Sequence, residues 1–140
     1  MQTLIITRAD LDDTNTYVGA TDVSDFAGHI EIAADLGHVH FTGSLRAAGS
    51  VRALAGSGIK AGSGIEAGWG IEAGSGIEAG WGIEAGLSVS AKFVAVRLRI
   101  FAGLCLWRQP TREEMQIRAE VRSGTVAFGE VVAPVETAVE

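Results

Sequence analysis

Cysteine and proline are scarce in this 140-residue chain, which contains one Cys and two Pro. The single Cys105 cannot close an intramolecular disulfide, and its apolar neighbours are typical of a buried thiol in a reducing compartment. The chain opens without a charged segment followed by an apolar one, and Arg97 and Arg99 interrupt its longest apolar run, residues 93–107. We therefore expect a cytoplasmic protein with no signal peptide and no membrane-spanning segment.

Signatures of catalysis and metal binding are also missing. The sequence has no Gly-x-Ser-x-Gly elbow, phosphate loop or Cys/His pair. His38 and His40 share one strand face, but no third ligand is spaced to complete a metal site, so we expect exposed strand histidines. Residues 10–15 resemble the start of a calcium loop, yet Asn15 stands where an EF-hand needs Gly, which favours a solvated loop with Asx turns. We expect no enzyme activity, metal or cofactor.

The net charge of −6 is distributed in blocks of alternating sign. Acids dominate residues 1–35, 61–84 and 109–140, and bases dominate residues 36–60 and 85–108. A general nucleic-acid binder needs one continuous basic face, so we expect no direct nucleic-acid binding. The blocks favour contact with a complementary protein.

Glycine, by contrast, is abundant and regularly spaced. Residues 55–84 form five hexads in unbroken register: AGSGIK, AGSGIE, AGWGIE, AGSGIE and AGWGIE. In an extended Ile-Glu-Ala segment, Ile and Ala point to one side and the charge to the other, while Gly-x-Gly allows the chain to turn. One hexad cannot bury its own Ile, so we expect the units to stack as the coils of a β-solenoid.

These hexads resemble the hexapeptide repeat of left-handed parallel β-helices over roughly residues 39–90. Their Gly-Ile-x-Ala periodicity also resembles bactofilin-type, polymer-forming β-helices. With residues 98–103 and 107–111, the block is similar to small phage and prophage proteins. Hexapeptide proteins are commonly acyltransferases, which implies a catalytic His and an acyl-carrier or CoA cleft. The regular coils contain no His and no long loop, so this activity is the least favoured.

We expect a single all-β domain, a short parallel β-helix with a C-terminal capping α-helix. The predicted segments are an N-terminal strand and acidic loop (1–28), a β-solenoid (29–107), the capping helix (111–123) and a terminal strand and tail (125–140). The helix is predicted because Thr111 and Glu114 form a capping box sequence and because Met115 and Ala119, like Ile117 and Val121, are apolar residues at i, i+4 spacing.

Hexads can build a three-sided coil from three repeats or a flattened, two-sided coil from two repeats. In the two-sided coil Glu66 stacks on Glu78, and like charges in neighbouring strands are destabilising. In the three-sided coil Lys60 meets Glu78, and Glu66 over Glu84 is the one like-charged pair. The alternation of Ser and Trp, which repeats with every second hexad, favours two sides, but the charges favour three, which we expect.

Side chains that must point outward form the candidate binding surface. A Trp at the centre of a Gly-x-Gly corner has no room in a narrow core, and exposed Trp is typical of binding hot spots. The Glu after each core Ile also faces outward. The candidate partner-binding residues are Glu66, Trp69, Glu72, Glu78, Trp81 and Glu84.

We therefore expect a non-enzymatic binding protein that forms a homodimer. Its carboxylates could replace phosphates on a nucleic-acid-binding host protein, as in an anti-CRISPR or anti-restriction inhibitor from a phage or mobile element. The alternative is a self-assembling, bactofilin-like scaffold, which needs uncapped solenoid ends. An ice-binding surface is disfavoured because Trp69, Trp81 and the Glu residues interrupt any Ser or Thr array.

Overall fold

The computed structural model describes residues 2–105 and 107–133, which form a curled sheet of thirteen strands. The strands are β1 (Thr3–Ile6), β2 (His29–Ile32), β3 (Gly37–Phe41), β4 (Leu45–Ala47), β5 (Val51–Ala53), β6 (Ser57–Ala61), β7 (Ile65–Ala67), β8 (Ile71–Ala73), β9 (Gly76–Ala79), β10 (Ile83–Ala85), β11 (Val89–Ala102), β12 (Gln116–Phe128) and β13 (Glu130–Val132). The paired strands run parallel. The expected all-β fold with solenoid-like stacking of parallel strands is confirmed.

Strands that pair in the hexad region are three hexads apart in the sequence. The pairs are Ile65 with Ile83, Ile71 with Val89, and Ile59 with Ile77. This is the spacing that the charges favoured, since Lys60 neighbours Glu78. The Ser/Trp alternation pointed to the wrong spacing because corner residues do not have to match the residue one coil away.

The strands form three stacks, here called sides, and each coil passes through all of them in order. Side one contains β1, β2, β5, β8, the starts of β11 and β12, and β13; side two contains β3, β6, β9 and the middle of β11 and β12; side three contains β4, β7, β10 and the ends of β11 and β12. The chain turns from side to side at the corners, which we name one-two, two-three and three-one.

The core is a ladder of aliphatic side chains. All five hexad Ile residues are fully buried, and each stabilises the fold by about 1.5–3 kcal/mol relative to an exposed side chain. Ser57 is a buried polar exception: its hydroxyl donates to the Ala33 carbonyl at 2.5 Å and accepts the Leu36 N–H at 3.0 Å. Because these bonds satisfy the hydroxyl, its burial is tolerated.

The predicted capping helix at residues 111–123 is wrong, and the described residues contain no α-helix. Its capping box does form, since Glu114 accepts the Thr111 N–H at 2.9 Å and Thr111 Oγ1 accepts the Glu114 N–H at 3.3 Å. The turn is a 3₁₀ helix that ends at Met115, and β12 begins at the next residue.

The apolar residues of this segment alternate as well as repeating at i, i+4. Ile117 and Ala119 are buried and Val121 is half-buried, whereas Glu120 between them is exposed. This period of two, together with pairing to β11, places the inward residues on the last coil of the core. Tertiary pairing therefore overrides the local helix signal.

The N-terminal segment follows the solenoid path as well. Residues outside the named strands form two parallel bridges to it, Thr16 to His40 and Phe26 to Ala47. Between β1 and these bridges lies a 3₁₀ turn, Arg8–Asp10, and Asp12 accepts the N–H groups of Thr14 and Thr16 in an Asx turn. The acidic loop expected in residues 1–28 thus contributes to sides two and three.

At the other end, the predicted terminal segment 125–140 contains the end of β12 and β13, and its residues 134–140 lie outside the described part of the chain. No helix within residues 2–105 or 107–133 has the length and apolarity needed to cross a membrane.

Candidate partner-binding surfaces

Trp69 and Trp81 lie at different corners. Trp69 lies at corner three-one, where its N–H donates to the Gly49 carbonyl at 3.1 Å. Trp81 lies at corner two-three, where its carbonyl accepts the Leu98 N–H at 2.9 Å. Because Trp recurs with every second hexad and each coil contains three hexads, the two Trp residues do not fall into one stack.

The side chain of Trp69 is partly covered by aromatic rings. Gly49 has no side chain, so His29 reaches past it and packs edge-on against Trp69, with ring centroids 5.0 Å apart. The Trp107 ring also packs against Trp69, with ring centroids 6.3 Å apart. These contacts leave Trp69 39% exposed.

Trp107 belongs to the segment between β11 and β12, of which residues 103–105 and 107–115 are described and which we call the strap. Arg108 and Glu114 form a two-pronged ion pair within it, with both N–O distances 2.6 Å. Hydrogen bonds from Arg108 and from the Thr111 N–H lower the pKa of Glu114 to about 2. The Arg108 guanidinium also lies 4.8 Å from the centre of the Trp107 ring. Arg108 thus links the ion pair to the ring that covers Trp69.

A groove of about 490 Å³ separates the strap from side three. Its floor consists of Ala and Gly residues from successive coils, and Phe26 and Trp107 are its aromatic lining residues. The charged residues of the described lining are Asp25, Arg46, Glu66 and Glu84. We call this the side-three groove; its lining carries more acids than bases.

A second groove, of about 400 Å³, lies on the side-one flank of the strap. His29 and Trp69 line it together with Arg52 and Glu72. Two of the candidate residues, Trp69 and Glu72, are therefore brought together here, and Glu66 and Glu84 line the side-three groove.

Corner two-three is open. Trp81 and Leu98 are each 60% exposed. Together with the half-buried Phe101 they line a third groove, of about 280 Å³, which also contains Glu66, Glu84 and Arg99.

The four candidate glutamates do not form one row. Glu72 lies on side one, Glu78 on side two, and Glu66 and Glu84 on side three. Arg46 Nε lies 3.7 Å from Glu66 Oε1, and Arg52 Nε lies 4.0 Å from Glu72 Oε1. The sequence contained the signal for these bases, because Arg46 and Arg52 each follow a core aliphatic residue, as the glutamates do.

The three histidines are half-buried, not exposed as the sequence suggested. His29 Nδ1 accepts the Ser50 N–H at 2.9 Å, and His38 packs against Phe93 with ring centroids 6.0 Å apart. Within the described part of the chain, no three His, Cys, Asp or Glu residues are grouped closely enough to hold a metal ion.

No protein-family model matches the sequence, and no curated protein or solved structure is significantly similar to it.

Proposed function

We propose that the protein is a non-enzymatic binding protein whose side-three groove accepts a basic, extended segment of a partner protein. The observation that carries this proposal is a groove that combines an acidic lining with a floor of small residues and two aromatic side chains. Because its floor is built on stacked strands, that floor is held in one shape and loses little entropy on binding.

The floor explains the preference for an extended segment. Its small lining residues are Ala27, Ala47, Ala48, Ala67, Gly68, Ala85 and Gly86. Because these floor residues are small, a peptide backbone can approach the coils closely. Trp107 and Phe26 then offer apolar surface, and an aromatic face also attracts Lys or Arg.

The charges explain the preference for a basic segment. Among the described lining residues, Asp25, Glu66 and Glu84 are acids and Arg46, which lies beside Glu66, is the one base. A bound Arg or Lys would therefore meet uncompensated carboxylates. An acidic groove of this kind suits a basic segment that borders the nucleic-acid channel of a partner protein, where the carboxylates replace phosphates. An inhibitor of a host defence protein, encoded by a phage or mobile element, is the specific form of the proposal.

The test uses fluorescence anisotropy with a labelled Arg-Gly-Arg-Gly-Arg-Gly peptide. The double variant Asp25→Asn with Glu66→Gln should weaken binding about tenfold and reduce its salt dependence. The matched control is Glu72→Gln with Glu78→Gln, which removes the same charge from the other two sides and should bind nearly as the parent does. Equal losses in both variants would show general charge attraction and contradict the groove.

Self-assembly is the second candidate, and the missing capping helix favours it. Among the residues described, β1 pairs with β2 alone and β13 with β12 alone, so the first and last strands of side one each present one edge. Such edges can accept a parallel strand from another copy, which would extend the solenoid end to end.

Electron microscopy at increasing protein concentration tests this second candidate. Filaments that disappear in Val131→Pro, a change that removes a strand N–H donor, would support it. A fixed small particle at all concentrations would exclude end-to-end assembly.

A further inference from the structure

We propose that the open corner two-three is the interface of a symmetric homodimer in which two solenoids pack side by side with their axes antiparallel. This surface does not include the strap, but it shares Glu66 and Glu84 with the side-three groove. The inference does not rest on what that groove binds. It follows from the apolar residues at the corner and from the order of the charges around them.

The apolar part of the interface is Trp81 with Leu98. They lie in adjacent coils, joined by the hydrogen bond from the Leu98 N–H to the Trp81 carbonyl. Each is 60% exposed, and Phe101 extends the surface onto side three. An exposed Trp beside other exposed apolar side chains is typical of the centre of a protein interface.

The charges around this patch change sign along the solenoid. Glu84 belongs to the same coil as Trp81, and Glu66 to the coil before it. Arg99 belongs to the next coil with Leu98, since Ile83 pairs with Ile100. Acids therefore lie toward the N-terminal end of the patch, and the base lies toward the C-terminal end.

This order makes the patch complementary to itself. A two-fold axis perpendicular to the solenoid places the coil with Trp81 and Glu84 against the coil with Leu98 and Arg99 of the second copy. Trp81 then packs on Leu98, and Glu84 faces Arg99, and both contacts occur twice. A purely basic or purely acidic partner would leave one end of the patch opposite a like charge, so a second copy fits better.

The first test measures the mass of the full chain in solution by sedimentation velocity. Trp81→Ser should weaken dimerisation at least about 30-fold, as the loss of a hot-spot residue does. The change creates the hexad AGSGIE, which the chain already contains at residues 61–66 and 73–78, so the coil should still fold. Trp69→Ser makes the same hexad at the other corner and should leave the dimer intact.

The second test exchanges the charges. Glu84→Arg places a base opposite Arg99 of the second copy, and Arg99→Glu places an acid opposite Glu84 of the second copy, so each variant alone should be largely monomeric. Mixed in equal amounts, the two should form a heterodimer, because both contacts then join opposite charges. A monomeric parent chain, a dimer that survives Trp81→Ser, or a mixture that stays monomeric would each overturn the proposal. Retention of the dimer in every variant would place the contact elsewhere, at the solenoid ends or on residues 134–140.

Discussion

The two corners that carry Trp69 and Trp81 have the same local sequence and different surroundings. Residues 67–72 and 79–84 are both AGWGIE, yet Trp69 is 39% exposed and Trp81 60% exposed. The hexad determines that the side chain points away from the core. The coils before and after it, which are distant in the sequence, determine whether anything covers it. In a solenoid, exposure is a property of the stack rather than of the repeat.

The largest effect should come from the ladder that supports both corners. Ile71 is fully buried on side one between Val51 and Val89. Ile71→Asp puts a carboxylate into this ladder and should cost more than about 4 kcal/mol, enough to prevent folding. The circular dichroism spectrum and the yield of soluble protein show whether the variant folds.

Glu72→Gln, at the next residue, is the control for Ile71→Asp. The Glu72 side chain is exposed. Its replacement should therefore change the free energy of unfolding by less than about 0.5 kcal/mol. A soluble Ile71→Asp variant with the parent spectrum would contradict the inward register of Ile.

The next largest loss of stability should distinguish the two corners, because added side-chain volume is accommodated at only one of them. A methyl group at Gly49 would collide with the His29 ring that packs on Trp69, whereas one at Gly43, in the column that leads to Trp81, meets no described atom within 4 Å. Gly49→Ala should therefore destabilise the protein by about 1–3 kcal/mol.

Gly43→Ala is the matched control. It should be neutral or stabilising by up to about 1 kcal/mol, because Ala restricts the unfolded chain. Chemical denaturation measures the free energy of unfolding of both variants. Equal changes in Gly49→Ala and Gly43→Ala would contradict the packing of His29 across Gly49.

Much of the solenoid could be predicted from the residues. The inward Ile and the outward Glu follow from strand alternation, and the pairing of Lys60 with Glu78 identified the coil of three hexads. What failed was the assignment of residues 111–123, where a capping box and i, i+4 apolar pairs coexist with alternation at Ile117, Ala119 and Val121. The segment therefore carries both a helix pattern and a strand pattern, and pairing with the open edge of β11 favours the strand.

The binding surfaces were less predictable because they depend on residues from distant coils. Nothing in the hexads indicates that Trp107 packs on Trp69, or that Leu98 and Phe101 lie beside Trp81. The bases opposite the glutamates were visible as Arg46 and Arg52 in the imperfect repeats. Aligning those repeats with the hexads three repeats later would have shown that no continuous acidic row could form.

Removing the cover of Trp69 should make the two corners alike. Trp107→Ala deletes the ring that packs on Trp69 and also lies beneath Arg108, at a cost of about 0.5–1.5 kcal/mol for the lost aromatic pair. Each chain compared keeps one Trp, and Trp107→Phe, which retains a ring, is the covered reference. Acrylamide quenching of Trp69 should rise from Trp107→Phe to Trp107→Ala, toward that of Trp81. Unchanged quenching of Trp69 would mean that Trp107 does not cover it in solution.

The smallest predicted effect is a pH dependence of Trp quenching at corner three-one, where the strap covers Trp69. Glu114 holds the strap through Arg108 and has a folded pKa of about 2 against an ordinary value of 4.5. Because the folded value is the lower one, this stabilisation is complete above pH 4.5 and is lost progressively as the pH falls toward 2. In Trp81→Ser, where only Trp69 and Trp107 report, acrylamide quenching should therefore increase as the pH is lowered through that range.

Glu114→Gln, added to Trp81→Ser, should remove this dependence and give stronger quenching already near neutral pH, since an amide cannot replace the ion pair. A pH profile that is the same with and without Glu114→Gln would show that the strap is held by its other contacts, such as the Cys105 N–H on the Gly86 carbonyl at 2.8 Å.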